Sequence, residues 1–220
     1  MELNIDQARE MTLNNLALAP KDRAVTLLMR HSLRYEIKDE TFGNEVPLKP
    51  EGRVAAKQLG EDLDRPILTV FSSPVGRCLD TAKHMLEGQG KSHPVLEDER
   101  LGDPGAYILK GGEAGKEYMR LGHHEFFGQQ MAGKPVKGTR TLAQGSKILL
   151  DWVTEPTKAP GLHLKVTHDA ILGLLVAHFI GLNAFSDPHW PKMLEGMALW
   201  SEEGKVVYAW RGVVGLLRVR

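Results

Sequence analysis

Cysteine is almost absent from this chain: Cys78 is the single one among 220 residues. One cysteine cannot form an internal disulfide, so a disulfide-built secreted fold is excluded. Net charge is absent as well. Lys plus Arg and Asp plus Glu each number 28, which removes any global electrostatic pull toward nucleic acid or an acidic membrane. The longest apolar stretch, Ala170 to Leu182, is interrupted by Gly173 and His178 and falls short of the ~20 residues that span a bilayer. The N-terminal MELNIDQARE lacks the basic start and apolar run of a secretory signal. Internal repeats, low-complexity tracts and linkers are also missing. These absences predict a soluble cytoplasmic protein that engages neither nucleic acid nor membrane. What is present is an ordinary globular balance, 42% hydrophobic and 25% charged, in a chain long enough to bury a core without disulfides or a structural metal. One domain over residues 1–220 is expected.

Along the chain, strand-like and helix-like segments alternate. Ile5 to Leu18 has helical spacing, with Asp6 as a candidate N-cap. Ala24 to Met29 is short and continuously apolar, as expected of a strand buried on both faces. Tyr35 to Lys49 is polar and reads as loop. Pro50 to Leu63 reads as helix, with Val54, Leu59 and Leu63 on one side. A second buried strand, Ile67 to Phe71, is followed by the Ser72-Ser73-Pro74 turn and a helix over Val75 to Leu86. Pro94 to Leu96 gives a third, short strand. Asp98 to Gly115 reads as loop, Lys116 to Met131 and Thr139 to Val153 as helices. A fourth strand covers Leu162 to Thr167 and a buried helix Ala170 to Ile180. Met197 to Trp200 and Lys205 to Trp210, joined through Glu203-Gly204, form a hairpin. This alternation implies an α/β fold with a mainly parallel sheet flanked by helices and a C-terminal antiparallel hairpin. The stretch from Leu101 to Arg140 fits the rhythm least and is expected to be an insertion near the mouth of the site.

Three of the strands are followed at once by residues that carry chemistry: Arg30-His31-Ser32-Leu33-Arg34, Ser72-Ser73-Pro74-Val75-Gly76-Arg77, and Thr167-His168-Asp169. In an open parallel sheet ligands bind at the carboxyl ends of the strands, so the three groups converge on one rim. Guanidinium forks bind the oxygens of a phosphoryl dianion bidentately. A neutral imidazole among them can attack phosphorus, and nearby cations disfavour its protonation. The guanidinium groups stabilise the transferring phosphoryl group without a metal, and Asp169 is placed to protonate a leaving alcohol.

The Arg30-to-Arg34 run resembles the Arg-His-Gly motif of the histidine phosphatase superfamily, which includes cofactor-dependent phosphoglycerate mutases and histidine acid phosphatases. Leu48-Lys49-Pro50-Glu51-Gly52, Ser72-Ser73-Pro74 with Arg77, and Thr167-His168-Asp169 resemble further family segments, in the family's order. The resemblance spans most of Ala24 to Gly181 and implies a phosphoglycerate mutase-like fold. It implies that His31 is the nucleophile, and that Arg30, Arg34, Arg77 and His168 hold the phosphoryl group, His168 as a charged or donating ligand. It leaves two choices for the proton donor. Asp169 matches the acid phosphatase pattern, which Arg34 also favours. Glu97, Asp98, Glu99 and Asp103 occupy the place of the mutase donor, with Asp103 the preferred one among them. Ser32 departs from the family's usual glycine.

The expected activity is therefore metal-independent hydrolysis of a small phosphate monoester through a phosphohistidine, with no cofactor. The alternatives are a phosphoglycerate-type mutase and, because of Ser32, a weakly catalytic phospho-ligand binder. Neither the physiological substrate nor the oligomeric state can be read from these residues. Asp169 is also a favoured helix-capping residue. His123-His124-Glu125 lacks metal-ligand spacing and is expected on a solvated helix face. Cys78 is expected to be a buried apolar residue. Tyr35, Tyr107 and Trp190 lie in loop segments, at the substrate mouth or packed on the surface.

Overall fold

The computed structural model describes residues 4–37, 42–153 and 159–217. Parts of the loop read over Tyr35 to Lys49 lie outside them. Among the described residues, β1 (Ala24–Arg30), β2 (Ile67–Ser72), β3 (Val95–Glu97) and β4 (Gly161–Thr167) form the parallel part of one sheet. The strands β5 (Gly196–Glu202), β6 (Lys205–Trp210) and β7 (Val213–Leu217) extend it antiparallel. The order is β3-β2-β4-β1-β5-β6-β7. The mixed α/β architecture therefore agrees with the sequence, and the hairpin gains a third strand that the sequence pattern did not announce. The exposed Val213, Val214 and Leu216 of β7 carry no alternation to signal an edge strand.

The central strands are apolar on both sides because helices cover both faces. On one face Leu27, Met29, Leu162 and Val166 pack with Leu16, Ala56, Leu59, Ala82 and Met85 of α1 (Ile5–Ala17), α2 (Pro50–Asp62) and α3 (Gly76–Gly88). On the other, Leu28, Met197 and Leu199 meet Phe127, Leu149, Leu172 and Leu175 of α5 (His123–Met131), α6 (Leu142–Val153) and α7 (Asp169–Ile180). The remaining helix, α4 (Gly111–Leu121), lies beside α5. No helix among the described residues is long and apolar enough to cross a membrane.

Several local expectations are corrected. Asn4, not Asp6, caps α1: its side chain accepts from Gln7 N–H and the Gln7 side chain accepts from Asn4 N–H, a reciprocal box that Asp6, two residues later and already inside the helix, cannot make. The buried face of α2 is Gly52, Ala55, Ala56, Leu59 and Gly60, while Val54 is exposed. The small residues are there because α3 approaches closely; a Cβ on Gly60 would lie 2.1 Å from the Met85 carbonyl oxygen. Strand β2 is only partly buried, because its neighbour β3 is short. The helix expected over Lys116 to Met131 is two helices, divided at Gly122, whose φ of 76° only glycine adopts without strain. The first of them starts earlier, inside the expected loop.

Candidate active site

The chemistry-bearing residues meet where β1, β2 and β4 end. Arg30 is the last residue of β1, and His31 follows. The His31 N–H donates to the Thr167 carbonyl at the end of β4, 2.9 Å away, and Ser73 N–H donates to Val166 O at 3.0 Å. These bonds register the three loops against one another. His168 immediately precedes α7, and Asp169 is its first residue.

The hydrogen bonds fix both imidazole tautomers. His31 Nδ1 lies 2.8 Å from the Ser32 carbonyl oxygen, which can only accept, so Nδ1 carries the proton. The lone pair is then on Nε2, where Arg77 Nε–H donates at 3.0 Å. Arg77 Nη2 also donates to His168 Nδ1 at 3.2 Å, so the His168 proton sits on Nε2 and points at Ser73 Oγ, 2.9 Å away. The two rings stand edge to face, 5.6 Å between centroids. Burial first, then Arg30, His168 and Arg77, hold His31 well below its ordinary pKa of 6.5. Burial, followed by Arg77, pushes His168 down to about 3. Both rings are neutral here, so His168 is not a charged ligand in the free site.

Each guanidinium is held by a backbone carbonyl, two of them from the segment between β1 and α2 and one from the segment before β5. Arg30 Nη1 donates to Pro191 O at 2.7 Å, Arg34 Nη1 to Tyr35 O at 2.7 Å, and Arg77 Nη1 to Gly43 O at 2.6 Å. Asp169 supplies the carboxylate, with Oδ2 2.7 Å from Arg30 Nη2. Its other oxygen accepts from Ala170 N–H at 2.8 Å, so it satisfies the first turn of α7 without being the N-cap, a position held by His168. Burial alone would raise the Asp169 pKa, but the positive pocket, Arg30 foremost, outweighs it and keeps the carboxyl ionised, below the usual carboxylate range.

Ser32 does not face the ligand space. It is fully buried, its Oγ donates to Gly52 O at 2.6 Å, and its N–H donates to Thr81 Oγ1 at 3.0 Å. The serine thus ties the His31 loop to α2 and α3, and its hydroxyl leaves the charged pocket unobstructed.

These groups line the inner end of a cleft of about 770 Å³. Of the four candidate carboxylates from Glu97 to Asp103, Asp103 is the one that lines it. Asp98 is engaged by Arg100, 2.5 Å away. Asp103 makes no side-chain hydrogen bond or ion pair among the described residues, and its φ of 58° turns the chain beside the cis bond to Pro104. The outer walls include Ile37, Phe42, Tyr107, Tyr118, Phe126 and Phe127. Sequence reasoning gave Ser73 no role of its own and missed Gly102. A Cβ on Gly102 would fall 2.4 Å from His168 Cδ2, at a φ of 139°, so this glycine is what lets the β3 loop close on the imidazole. Tyr107 does line the cleft, whereas Tyr35 is exposed and Trp190 is buried behind the wall. His123 is a correction: it lines the cleft among Phe127, Phe185 and Trp190, while His124 and Glu125 are exposed as expected, His124 3.4 Å from Asp187. Cys78 is a buried thiol, its pKa pushed up to about 12 by burial. Among the described residues no three His, Cys, Asp or Glu side chains gather as metal ligands.

The model of the histidine phosphatase superfamily (branch 1) matches residues 26–193, about three-quarters of the chain. The chain belongs to the histidine phosphatase superfamily. No curated protein matches it. Among solved structures it resembles the phosphoglycerate mutase of Bacillus anthracis str. Sterne, at 18% identity and a TM-score of 0.53 over 90% of this chain and 94% of that one. It also resembles a variant of the phosphoserine phosphatase of Entamoeba histolytica in complex with phosphoserine, at 16% identity and a TM-score of 0.56 over 84% and 94% of the two chains. A mycobacterial glucosyl-3-phosphoglycerate phosphatase matches at 17% identity and 0.52 over 86% and 98%. At these identities the likeness establishes the phosphoglycerate mutase-like fold.

The neutral, buried histidines couple folding to pH. An unfolded chain takes up protons on His31 and His168 as pH falls below 6.5, while the folded protein does not until far lower, near 3 for His168. Stability is therefore complete above about pH 6.5 and declines toward pH 3. Urea unfolding at stepped pH should show this decline, and His168→Gln should flatten it.

Proposed function

We propose that this superfamily member is a phosphomonoesterase that works through a phosphohistidine on His31. The observation that carries the proposal is the His31 tautomer: Nδ1–H is spent on the Ser32 carbonyl, leaving Nε2 as the lone-pair nitrogen among three guanidinium groups. In the first step the Nε2 lone pair forms the N–P bond as the ester P–O bond breaks, and the departing alcohol oxygen takes a proton from a carboxylic acid. In the second, water attacks phosphorus, gives a proton back to that carboxylate, and the N–P bond breaks to release phosphate and the neutral imidazole. Arg77 leaves Nε2 to bind the incoming oxygens, and Arg30 and Arg34 complete the cradle.

Asp169 is the preferred donor, with a condition. In the free site Arg30 keeps it ionised, and an acid must hold a proton to give one. A phosphoryl dianion competes for Arg30 and places negative charge beside Asp169; both effects raise its pKa as substrate binds. Asp103 remains the second candidate. Beyond the cradle the walls are mostly apolar and aromatic, which suits an ester with an uncharged, largely apolar alcohol. A phosphoglycerate mutase must also hold a substrate carboxylate, and no further arginine or lysine among the described residues lines the cleft. Hydrolysis is therefore favoured over mutation.

His31→Ala is expected to abolish both turnover and acid-labile, base-stable labelling by a phosphate ester; label persisting in that variant contradicts the assignment. Asp169→Asn should slow alkyl phosphates by ~10²–10⁴-fold, the usual worth of a general acid, and p-nitrophenyl phosphate much less. If Asp103→Asn shows that leaving-group dependence instead, the donor is Asp103.

A further inference from the structure

Behind the cradle lies a polar cluster that the family match does not cover, since Thr12, Asn15, Glu195 and Arg211 all fall outside residues 26–193. Glu195 is fully buried. Arg211, in the tight turn between β6 and β7, grips it with two bonds, Nε to Oε1 at 2.6 Å and Nη2 to Oε2 at 2.9 Å. The same guanidinium donates to Pro188 O at 2.5 Å and Trp190 O at 3.2 Å, and Glu195 Oε2 accepts from Lys192 N–H at 2.7 Å. From α1, the buried Thr12 hydroxyl donates to Leu194 O at 2.7 Å and accepts from Gly196 N–H at 2.9 Å. Asn15 bridges Gly196 O, at 2.9 Å, to Gly212 N–H, at 3.0 Å. Leu194 and Arg211 both hold positive φ, 65° and 48°, conformations that persist in non-glycine residues only where the surroundings over-determine them.

What this cluster immobilises is the loop that touches the reactive residues. Pro191 O receives Arg30 Nη1 at 2.7 Å, Glu195 O receives Arg30 N–H at 3.0 Å, and Leu194 N–H donates to His31 O at 3.2 Å. A buried ion pair of this kind is weak evidence for stability, because desolvating both charges offsets their attraction. Its geometry points to orientation instead.

We infer that Arg211 and Glu195, with Thr12 and Asn15, are positioning residues that fix the Arg30 guanidinium for phosphoryl binding, so that α1 and the C-terminal strands act on the active site. The inference rests on the phosphoryl-binding role proposed above for Arg30. A bidentate fork is required, because it must hold Glu195 and reach two backbone carbonyls; lysine keeps the charge beside Glu195 without that reach.

The test uses the full chain and two mild variants, Arg211→Lys and Thr12→Val, which keep the buried charge balance. Two quantities are read: the ¹⁵N–¹H resonance of Arg30 Nε in the free protein, and the dissociation constant of inorganic phosphate. Both variants are expected to shift and broaden the Arg30 resonance. Phosphate binding should weaken about tenfold in Arg211→Lys, the lower end of what loss of a supporting partner costs a bound group. In an Arg30→Met background Arg211→Lys should weaken it no further, because it acts through Arg30. An Arg30 resonance unmoved in both variants, or an undiminished effect in the Arg30→Met background, overturns the inference. If the resonance moves but the unmodified protein does not bind phosphate, the positioning stands and the phosphatase proposal falls.

Discussion

Three guanidinium groups crowd one side of two imidazoles at the end of a parallel sheet, and the rest of the site follows from making that crowding tolerable. The cations repel one another and have one carboxylate, Asp169, within ion-pair distance among the described residues. Each is therefore anchored by a backbone carbonyl, from Pro191, Tyr35 and Gly43. The imidazoles respond by staying neutral, since a proton on either ring would add a buried charge to a positive pocket. That neutrality leaves His31 Nε2 with its lone pair. A concentrated positive pocket and a ring nitrogen without a proton are two consequences of one arrangement.

The fold supplies this arrangement through loops more than through elements. Strands β1 and β4 pair in register from Ala24 with Gly161 to Arg30 with Thr167, which sets His31 and His168 side by side. Their side chains are then tuned by distant chain: Gly102 makes room for His168, Ser32 ties the His31 loop to α2, and the loop before β5 holds Arg30. The cleft wall comes largely from α4 and α5, the segment that departs most from the alternating strand–helix rhythm.

Much of this was legible in the sequence because parallel strands are short apolar runs and their carboxyl ends carry the reactive residues; β1, β2 and β4 with His31, Arg77 and His168 followed directly. The family resemblance added the roles, and the superfamily match bears out the family. Less legible were features that depend on contact between remote segments. Gly111-Gly112 and Gly122 disguised α4 and its break from α5, because helix propensity argues against the first and says nothing of the packing that forms it. His123 looked like solvated surface because helical spacing cannot reveal that Phe185 and Trp190 fold over it. The Arg30–Asp169 pair was also hidden: a carboxylate next to a second histidine reads as an acid, yet its partner keeps it ionised.

The central claim is that His31 is neutral, with its proton on Nδ1 and Nε2 free to attack. Imidazole ¹⁵N chemical shifts of His31, followed from pH 8 to pH 5 in the phosphate-free protein, test it most directly. The account predicts an unprotonated Nε2 and a protonated Nδ1 across the whole range, since burial and the arginines hold the pKa well below 6.5. Protonation of the ring with a midpoint near 6.5, or a proton resident on Nε2 at neutral pH, would contradict it.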